Sequence, residues 1–494
     1  MTPPIKNGRC GNSPATPPAL DFGTEPAFEN DPKPVFFTDQ YGTAWCRVWN
    51  RDHYETLRLR SKPFRHRLIR AMVTAGERPS RSRINEQLDV FEAFAYDNRR
   101  DLHNRSAWCE AGRSLCIDLA DDGWRVIQVT PVGWGFTDDP AVLFRRFVHQ
   151  KPLPEPDTSG QLGELLAFLP PLREPDQLLV LTYAVAAPIP IPRPILMPLG
   201  PQGSGKSTLC ALLRRLVDPS QAELLGRDAR ADMPQTFYRH AFPVFDNADA
   251  FTGQESDLFC QAATGRAIDR RQLYTDGEEY LLSFMRPVMI NGLRPPTNRP
   301  DLLDRSLIIE LDRLTSDQRR YLGRLEAEFQ AAHPRLFGGL LNALQRTLEL
   351  LPTVPTDGLS RMADFHRLGR AAALALGFSI QAFDDAMREV EARQRRGASD
   401  NPLTAAILLF ARKQGQWQGD LPAFLERLAD TARAHQIRRS PENWPDTPIG
   451  LGRQLKQLST ILAEHGVTVS RPRNARARLV RLVYDSAADH AAEL

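Results

Sequence analysis

The hydrophobic pattern begins only after the first thirty or so residues. Residues 1–33 are rich in Pro, Gly, Asn and Thr with few large apolar groups, a composition that predicts a disordered arm. From Val35 the pattern changes to short β-prone runs at Val35 to Thr38, Ala44 to Trp49 and Thr56 to Leu59, then one amphipathic stretch, Arg83 to Tyr96. Further strands are predicted at Ser114 to Leu119 and Arg125 to Thr130, which together give a small α+β domain over 34–150. Pro152, Pro154 and Pro156 then mark a stiff linker, placed within 151–175. Helical patterns at Gln161 to Phe168 and Asp176 to Ala187 precede a short apolar run, Pro194 to Leu199, that leads into glycine-rich sequence.

Beyond it, apolar strands are predicted at Ala241 to Phe245, Val288 to Ile290 and Ser306 to Leu311, inside a domain spanning 176–330. A helical region over 331–398 holds three periodic stretches, Leu336 to Leu351, Arg361 to Leu376 and Ile380 to Arg396. The last domain, 399–485, reads as helix (Pro402 to Arg412), extended element (Gly415 to Gly419), helix (Leu421 to Ala429), helix (Ile449 to His465) and two strands, Val467 to Ser470 and Ala477 to Tyr484. Three helices and a hairpin in that order are the winged-helix pattern. Residues 486–494 form a tail, and the whole chain is expected to be multidomain α/β.

Composition narrows the function classes. Across 494 residues, 63 Lys and Arg face 60 Asp and Glu, so the net charge of +3 demands no nucleic-acid partner and any basic surface must be local. The longest apolar stretch, Leu178 to Leu199, is cut by five prolines and carries Arg193, which argues against a membrane span. Lys6 and Arg9 have no apolar segment behind them, so no secretory signal is expected and the compartment should be cytoplasmic. Six scattered cysteines, without a C-x-x-C pair, predict buried thiols.

The glycine-rich junction carries the chemistry. Gly200, Pro201, Gln202, Gly203, Ser204, Gly205, Lys206, Ser207 and Thr208 fit G-x-x-x-x-G-K-[ST] between a predicted strand and a helical run, Leu209 to Leu216. Such a loop turns backbone N–H groups toward the phosphates of ATP, and Lys206 is expected to bridge the β- and γ-phosphates and Ser207 to hold Mg²⁺. Four downstream elements bear on what the loop serves. An apolar strand ends in Asp246, which would anchor Mg²⁺; Asn247 stands where a partner glutamate is usual, leaving Asp249 as the candidate base. A second strand ends in Asn291, a candidate sensor of the γ-phosphate or the attacking water, although Asn before Gly is also ordinary turn chemistry. Arg305 lies just before the next strand, where a ring ATPase presents an arginine to its neighbour's nucleotide; a salt bridge to Asp301 or Asp304 is the plain alternative. Asp276-Gly277 marks a hairpin with Arg270, Arg271 and Tyr274 nearby, which suits a pore loop gripping a strand or a bland surface hairpin.

With these elements in order, the sequence resembles the superfamily 3 and poxvirus-type primase-helicase ATPases of phages, plasmids and bacterial integrative elements. The likeness rests on 200–208, Asp246-Asn247, Thr264-Gly265 with Arg271-Gln272-Leu273-Tyr274, Asn291-Gly292 and Pro300-Asp301 to Arg305, and extends to Ile117-Asp118-Leu119, Gly133-Trp134, Phe144-Arg145-Arg146 and 361–365. It implies a P-loop AAA+-like core in a homo-oligomeric ring of six that hydrolyses ATP and moves on single-stranded DNA. No paired-carboxylate motif stands in the first 150 residues, so primase activity is not expected. The C-terminal domain adds Arg453, Lys456, Arg471, Arg473, Arg476, Arg478 and Arg481, with Glu464 the only acid from Arg453 through Tyr484, a stripe suited to the phosphates of duplex DNA. Two classes remain: an ATP-driven helicase or translocase, and a nucleotide-switched initiator or regulator that binds DNA with little unwinding.

Overall fold

The computed structural model describes residues 33–485, apart from 110–113, 138, 227–229, 231, 249, 266, 272–278, 400–401, 438, 440–443, 471–472 and 475–476. The N-terminal arm, Asp249, Tyr274, Arg471, Arg476 and the tail therefore lie outside the described residues, as do the side chains of Arg270, Arg271, Arg473 and Arg478. Two compact units are present: one runs to His103 and takes in Leu143–Arg145, and the other holds Asn104–Val142 and everything from Arg146 on.

In the first unit, β1 (Val35–Thr38), β2 (Ala44–Asn50) and β3 (His53–Arg58) form an antiparallel meander. Two helices follow, Lys62–Thr74 and Arg81–Tyr96, each started by a serine: Ser61 accepts from the Phe64 N–H and Ser80 from the Arg83 N–H. The helices cover one face of the sheet, where Cys46, Val48 and Leu57 meet Phe64, Leu68, Ile84, Leu88 and Phe91. At one end of the opposite face, Phe37 and Trp45 pack with Leu102 and Leu143, carried by a short parallel pair, β4 (Leu102–His103) and β9 (Leu143–Phe144).

The second unit starts with an antiparallel sheet, β5 (Ser106–Cys109), β6 (Ser114–Asp118), β7 (Val126–Thr130) and β8 (Gly133–Thr137). Leu115, Ile117, Ile127 and Val129 share one core with the helices Glu174–Ala186, Lys206–Val217 and Leu322–Leu350. The expected domain over 34–150 is thus divided after His103, because half of its apolar residues belong to a core that only later sequence completes. The expected linker is packed as well. Its prolines stiffen the backbone, but Leu153, Leu162, Leu165 and Leu169 are buried in that same core, and Leu162–Ala167 forms a short 3-10 helix. The expected boundary at 330/331 falls inside the single helix Leu322–Leu350, which tolerates Pro334 in its interior; the Pro334 carbonyl accepts the Asp157 N–H at 2.9 Å. Cys109 and Cys116, expected as thiols, are joined by a disulfide between neighbouring antiparallel strands. Cys46, Cys210 and Cys260 are free and buried.

The centre of this unit is a parallel sheet of β10 (Ile195–Leu199), β11 (Val244–Phe245), β14 (Met289–Ile290) and β15 (Ser306–Glu310), in the order β11-β14-β10-β15. Both faces are covered, which accounts for strands that read as apolar runs without alternation. β14 is thereby inserted between two strands that precede it in sequence. A hairpin of β12 (Ala267–Arg271) and β13 (Glu279–Ser283) stands apart from the sheet, pairing Arg270 with Tyr280. The C-terminal segment gives helix Pro402–Gln414, β16 (Gln416–Asp420), helices Leu421–Ala434 and Pro448–Glu464, then β17 (Val467–Ser470), β18 (Arg473–Asn474) and β19 (Ala477–Tyr484). β19 is central, paired with β16, β17 and β18. Its core, with Phe410, Phe424, Leu455 and Leu482, is continuous with Met197 and Ile308 of the parallel sheet. Among the described residues no helix is long and apolar enough to cross a membrane.

Candidate functional site

The loop 200–205 leaves the C-terminal edge of β10 and runs directly into the helix Lys206–Val217. Two of its glycines are fixed by their surroundings. A Cβ on Gly200 would lie 2.2 Å from the Leu311 carbonyl oxygen, and Gly205 has φ +83° with a Cβ position 2.9 Å from Pro170. The loop is further tied by the Leu314 N–H donating to the Gly203 carbonyl at 3.1 Å. Lys206 is buried and donates to the carbonyls of Gly200 and Pro201, both at 2.8 Å, and to Ser204 Oγ at 3.3 Å. Burial holds its pKa below the usual lysine range, with the Asp246 carboxylate opposing that shift. These three bonds curl the side chain back over the loop, where an anion entering the concavity would compete for the ammonium.

Asp246 follows β11 and meets the start of the helix: Ser207 Oγ donates to Asp246 Oδ1 at 2.8 Å. Asn291, after β14, donates from Nδ2 to the same carboxylate oxygen at 2.6 Å and accepts the Asn247 N–H on Oδ1 at 3.0 Å. The strand order makes this possible, because β14 lies between β11 and β10 and delivers Asn291 between the acid and the loop. Asn291 is fully buried. Its amide is spent on orienting Asp246 and Asn247, which differs from the expectation that it reaches a phosphate or a water. Beneath it, burial pushes the Cys210 thiol up to about 12, so that sulfur stays protonated. Asn247 has φ +50°, a left-handed conformation that Asn tolerates better than Glu does. A position held in that conformation favours the residue found over the glutamate expected.

The donor set suits a magnesium nucleotide. Ser207 and Asp246 bring a hydroxyl and a carboxylate, hard oxygen ligands, to one point at the mouth of the loop. No cluster of three or more His, Cys, Asp or Glu able to hold a metal alone occurs among the described residues, so the remaining ligands of such an ion would be phosphate oxygens and water.

Arg305 lies elsewhere. It immediately precedes β15, whose Ser306 is level with Ile195 at the N-terminal edge of β10. The glycine loop is at the other edge, about 15 Å along the strands at some 3.3 Å per residue. Arg305 donates to the Asp301 carbonyl at 2.7 Å and also pairs with the Asp301 carboxylate. This is the intrachain salt bridge weighed as the plain alternative. Burial acts to raise the Asp301 pKa, but the Arg305 bond and the charges of Arg305, Arg361 and Arg299 hold it below the carboxylate range. Arg361 adds a 2.6 Å bond to Asp304 and a 3.5 Å contact to Asp301. Among the candidate DNA contacts, Arg453 and Lys456 are exposed on the helix Pro448–Glu464 and Arg481 is exposed on β19. Sequence reasoning missed Pro170 and the 311–314 segment, which shape the loop from a distance; no local motif marks them.

Residues 165–390, which contain the loop, Asp246, Asn291 and Arg305, match the family described as actinomycete integrative conjugative element replication protein. Residues 403–491 match that family's RepA C-terminal domain. Among solved structures, it is similar to the NrS-1 C-terminal region in its A-form apo structure, with 12% identity and a TM-score of 0.41 over 91% of this chain and 96% of that one. A likeness to JCV helicase has 16% identity and a TM-score of 0.26, over 47% of this chain and 64% of that one. No curated protein matches. The family match takes in the parallel sheet with its site residues and the C-terminal helices and strands, while the unit before His103 lies outside both matched segments.

Proposed function

We propose that this chain is an ATP-driven DNA translocase or helicase acting in the replication of an integrative element. The observation that carries the reading is the convergence of Ser207, Asp246 and Asn291 on one point at the mouth of a lysine-bearing glycine loop. In this reading the backbone of 200–205 cradles the phosphates, Lys206 leaves its loop carbonyls for the β- and γ-phosphate oxygens, and Ser207 and Asp246 hold Mg²⁺. The ion supplies charge neutralisation on the phosphates. Asn291 keeps Asp246 in a single rotamer, and Arg305 completes a neighbour's site in a homo-oligomeric ring, a hexamer by resemblance. The hairpin bearing Arg270, Arg271 and Tyr274 grips single-stranded DNA. The C-terminal helices and strands act as a winged helix on duplex phosphates through Arg453, Lys456, Arg471, Arg473, Arg476 and Arg478. Asp249 is the candidate base, since Asn247 has no basic group to offer. The setting is cytoplasmic.

A second reading, a nucleotide-switched DNA-binding initiator, is favoured by one observation: Arg305 is engaged by Asp301 in its own chain. Lys206→Ala tests the first reading, because Lys206 is the one lysine of the loop sequence 200–208. Mg²⁺-dependent ATP hydrolysis, measured with and without single-stranded DNA, should fall to background. Turnover within tenfold of wild type would remove the loop from the chemistry. DNA-independent hydrolysis in the wild type would favour the switch.

A further inference from the structure

The unit before His103 carries none of the proposed ATPase chemistry, yet it is distinctly basic. Residues 33–103 hold fourteen Lys and Arg against nine Asp and Glu, an excess of five where the whole chain has an excess of three. The meander there has one face packed on its two helices. Strand alternation sends Val35, Phe37, Trp45, Arg47, Trp49, Tyr54, Thr56 and Arg58 to the other face, with no acid among them. Phe37 and Trp45 close one end of that face with Leu102 and Leu143. At the other end stand Trp49 and Tyr54, directly opposite one another, with ring centroids 4.7 Å apart in an edge-on arrangement. The Arg47 guanidinium lies 4.0 Å from the Tyr54 ring centroid, and Arg58 is exposed on the same face.

These two rings are not sealed as the other structural aromatics are. The Trp45 indole N–H donates to Asp39 at 3.1 Å and the Trp134 indole N–H to Asn342 at 2.9 Å. The Trp49 indole and the Tyr54 hydroxyl have no hydrogen-bond partner among the described residues, and both side chains are only half-buried. A half-exposed aromatic pair with unspent donors, beside Arg47 and the exposed Arg58, is a surface for polyanions that carry flat rings. Unpaired bases meet that description, since each has a free face to stack while its phosphate meets an arginine. Bases in a duplex are already stacked and offer only their edges to a sheet.

We propose that this face is a second single-stranded DNA site, formed by Arg47, Trp49, Tyr54 and Arg58 and independent of the ATPase centre. Trp49 stacks a base, the Tyr54 hydroxyl and Trp49 N–H take polar groups of the nucleotide, and Arg58 with Arg47 holds flanking phosphates. On the translocase reading proposed above, such a site would retain the strand while the nucleotide cycle releases it.

The test uses the full chain without nucleotide, cross-linked by ultraviolet light to an oligothymidylate carrying 5-iodouracil and then digested with trypsin. Adducts are expected on the peptides 48–51 and 52–58, with at least tenfold less yield on the same sequence as a duplex. Arg58→Ala, an exposed change that leaves the core alone, should lower the yield on 48–51 and on 52–60, the peptide trypsin releases from that variant, several-fold, and Trp49→Phe should keep most of it because the stack survives. Trp49→Ala should weaken the site about tenfold or more, the loss of one base stack. DNA adducts that fall only elsewhere in the chain, or equal labelling by duplex, would overturn the proposal. So would an unchanged yield in both Arg58→Ala and a folded Trp49→Ala protein.

Discussion

Asn291 is fully buried, and both ends of its amide are committed: Nδ2 to Asp246 and Oδ1 to the Asn247 N–H. An acid that accepts from Ser207 and from Asn291 on the same oxygen has little rotational freedom left. Removing Nδ2 in Asn291→Ala takes away a hydrogen bond to a charged group, a contribution of about 1.5–3 kcal/mol. If that contribution is felt mainly in the transition state, turnover should drop by about 10- to 100-fold. Nucleotide affinity should stay within a few-fold, since the loop and Lys206 are untouched. Separate measurements of kcat and nucleotide Kd check this. Affinity lost in step with turnover would mean that Asn291 supports the loop instead of the acid.

At the scale of elements, two buried charge clusters hold helices to their neighbours. Arg393, on the helix Ile380–Ser399, donates to Asp176 at 2.6 Å and to the Ile308 carbonyl of β15 at 2.7 Å, with both side chains almost wholly buried. Asp176→Ala removes the closest carboxylate and leaves that guanidinium with Glu389 at 3.3 Å and Glu310 at 3.7 Å, so it should cost about 3 kcal/mol, the low end of the penalty for halving a buried pair. Asp176→Leu combined with Arg393→Met should recover most of it, and denaturant midpoints of the two variants decide. The second cluster lies at the far end of the helix Lys206–Val217, where Arg214 bonds His240 Nδ1 at 2.8 Å and the rings of His149 and His240 are 4.0 Å apart. A guanidinium can only donate, so His240 accepts on Nδ1 and is neutral. Burial, with Arg214 and His149 adding to it, brings the His240 pKa down to about 3. Burial brings His149 down to about 4, with Asp218 opposing and Arg214, Arg105 and Arg239 assisting. The unfolded chain takes up these protons near pH 6.5 and the folded chain does not, so stability should fall as pH drops from about 6.5 toward 4. The Tm of the wild type should decrease over that window, and His149→Asn/His240→Gln should flatten the slope. An equal slope in both proteins would assign the acid sensitivity to other groups.

At the scale of the whole molecule, Arg305 sits at the opposite edge of the parallel sheet from its own glycine loop. It can meet a phosphate only across an interface between copies. In the single chain it is held by Asp301, with Arg361 against the same carboxylate. Assembly would have to exchange that bond for a neighbour's nucleotide, and Arg361 is placed to keep Asp301 neutralised when it does. Arg305→Ala should therefore bind ATP nearly normally and lose about 10³-fold or more in hydrolysis, the scale of a trans arginine. Mixed with Lys206→Ala protein, it should regain part of the activity, because some interfaces then join an intact loop to an intact arginine. Fluorescence transfer between labelled subunits verifies exchange. Mixtures that exchange subunits yet stay at background would make the Asp301 bridge structural and favour the nucleotide switch.

Local chemistry determined much of this protein. The G-x-x-x-x-G-K-[ST] spacing, the apolar runs ending at Asp246 and Asn291, and the period of the helices are short-range patterns, and most of the strands and helices they predict are present within a few residues, although the helix expected from Leu336 begins at Leu322. The order of the C-terminal helices and strands was legible for the same reason, since each element there has its own period, and two of the helices start at a local cap, Asp420 and Thr447. What only the tertiary structure decided depends on contacts between distant segments. Periodicity cannot say that the 106–137 sheet shares its core with helices beyond residue 174, because a half-buried strand reads the same whichever partner covers it. Spacing cannot say that a proline-rich stretch is pinned by its leucines, or that Cys109 meets Cys116 across a hairpin. Nor can it say that Asn291 faces Asp246: that follows from β14 entering between β11 and β10, a strand order set by which apolar faces can be buried together.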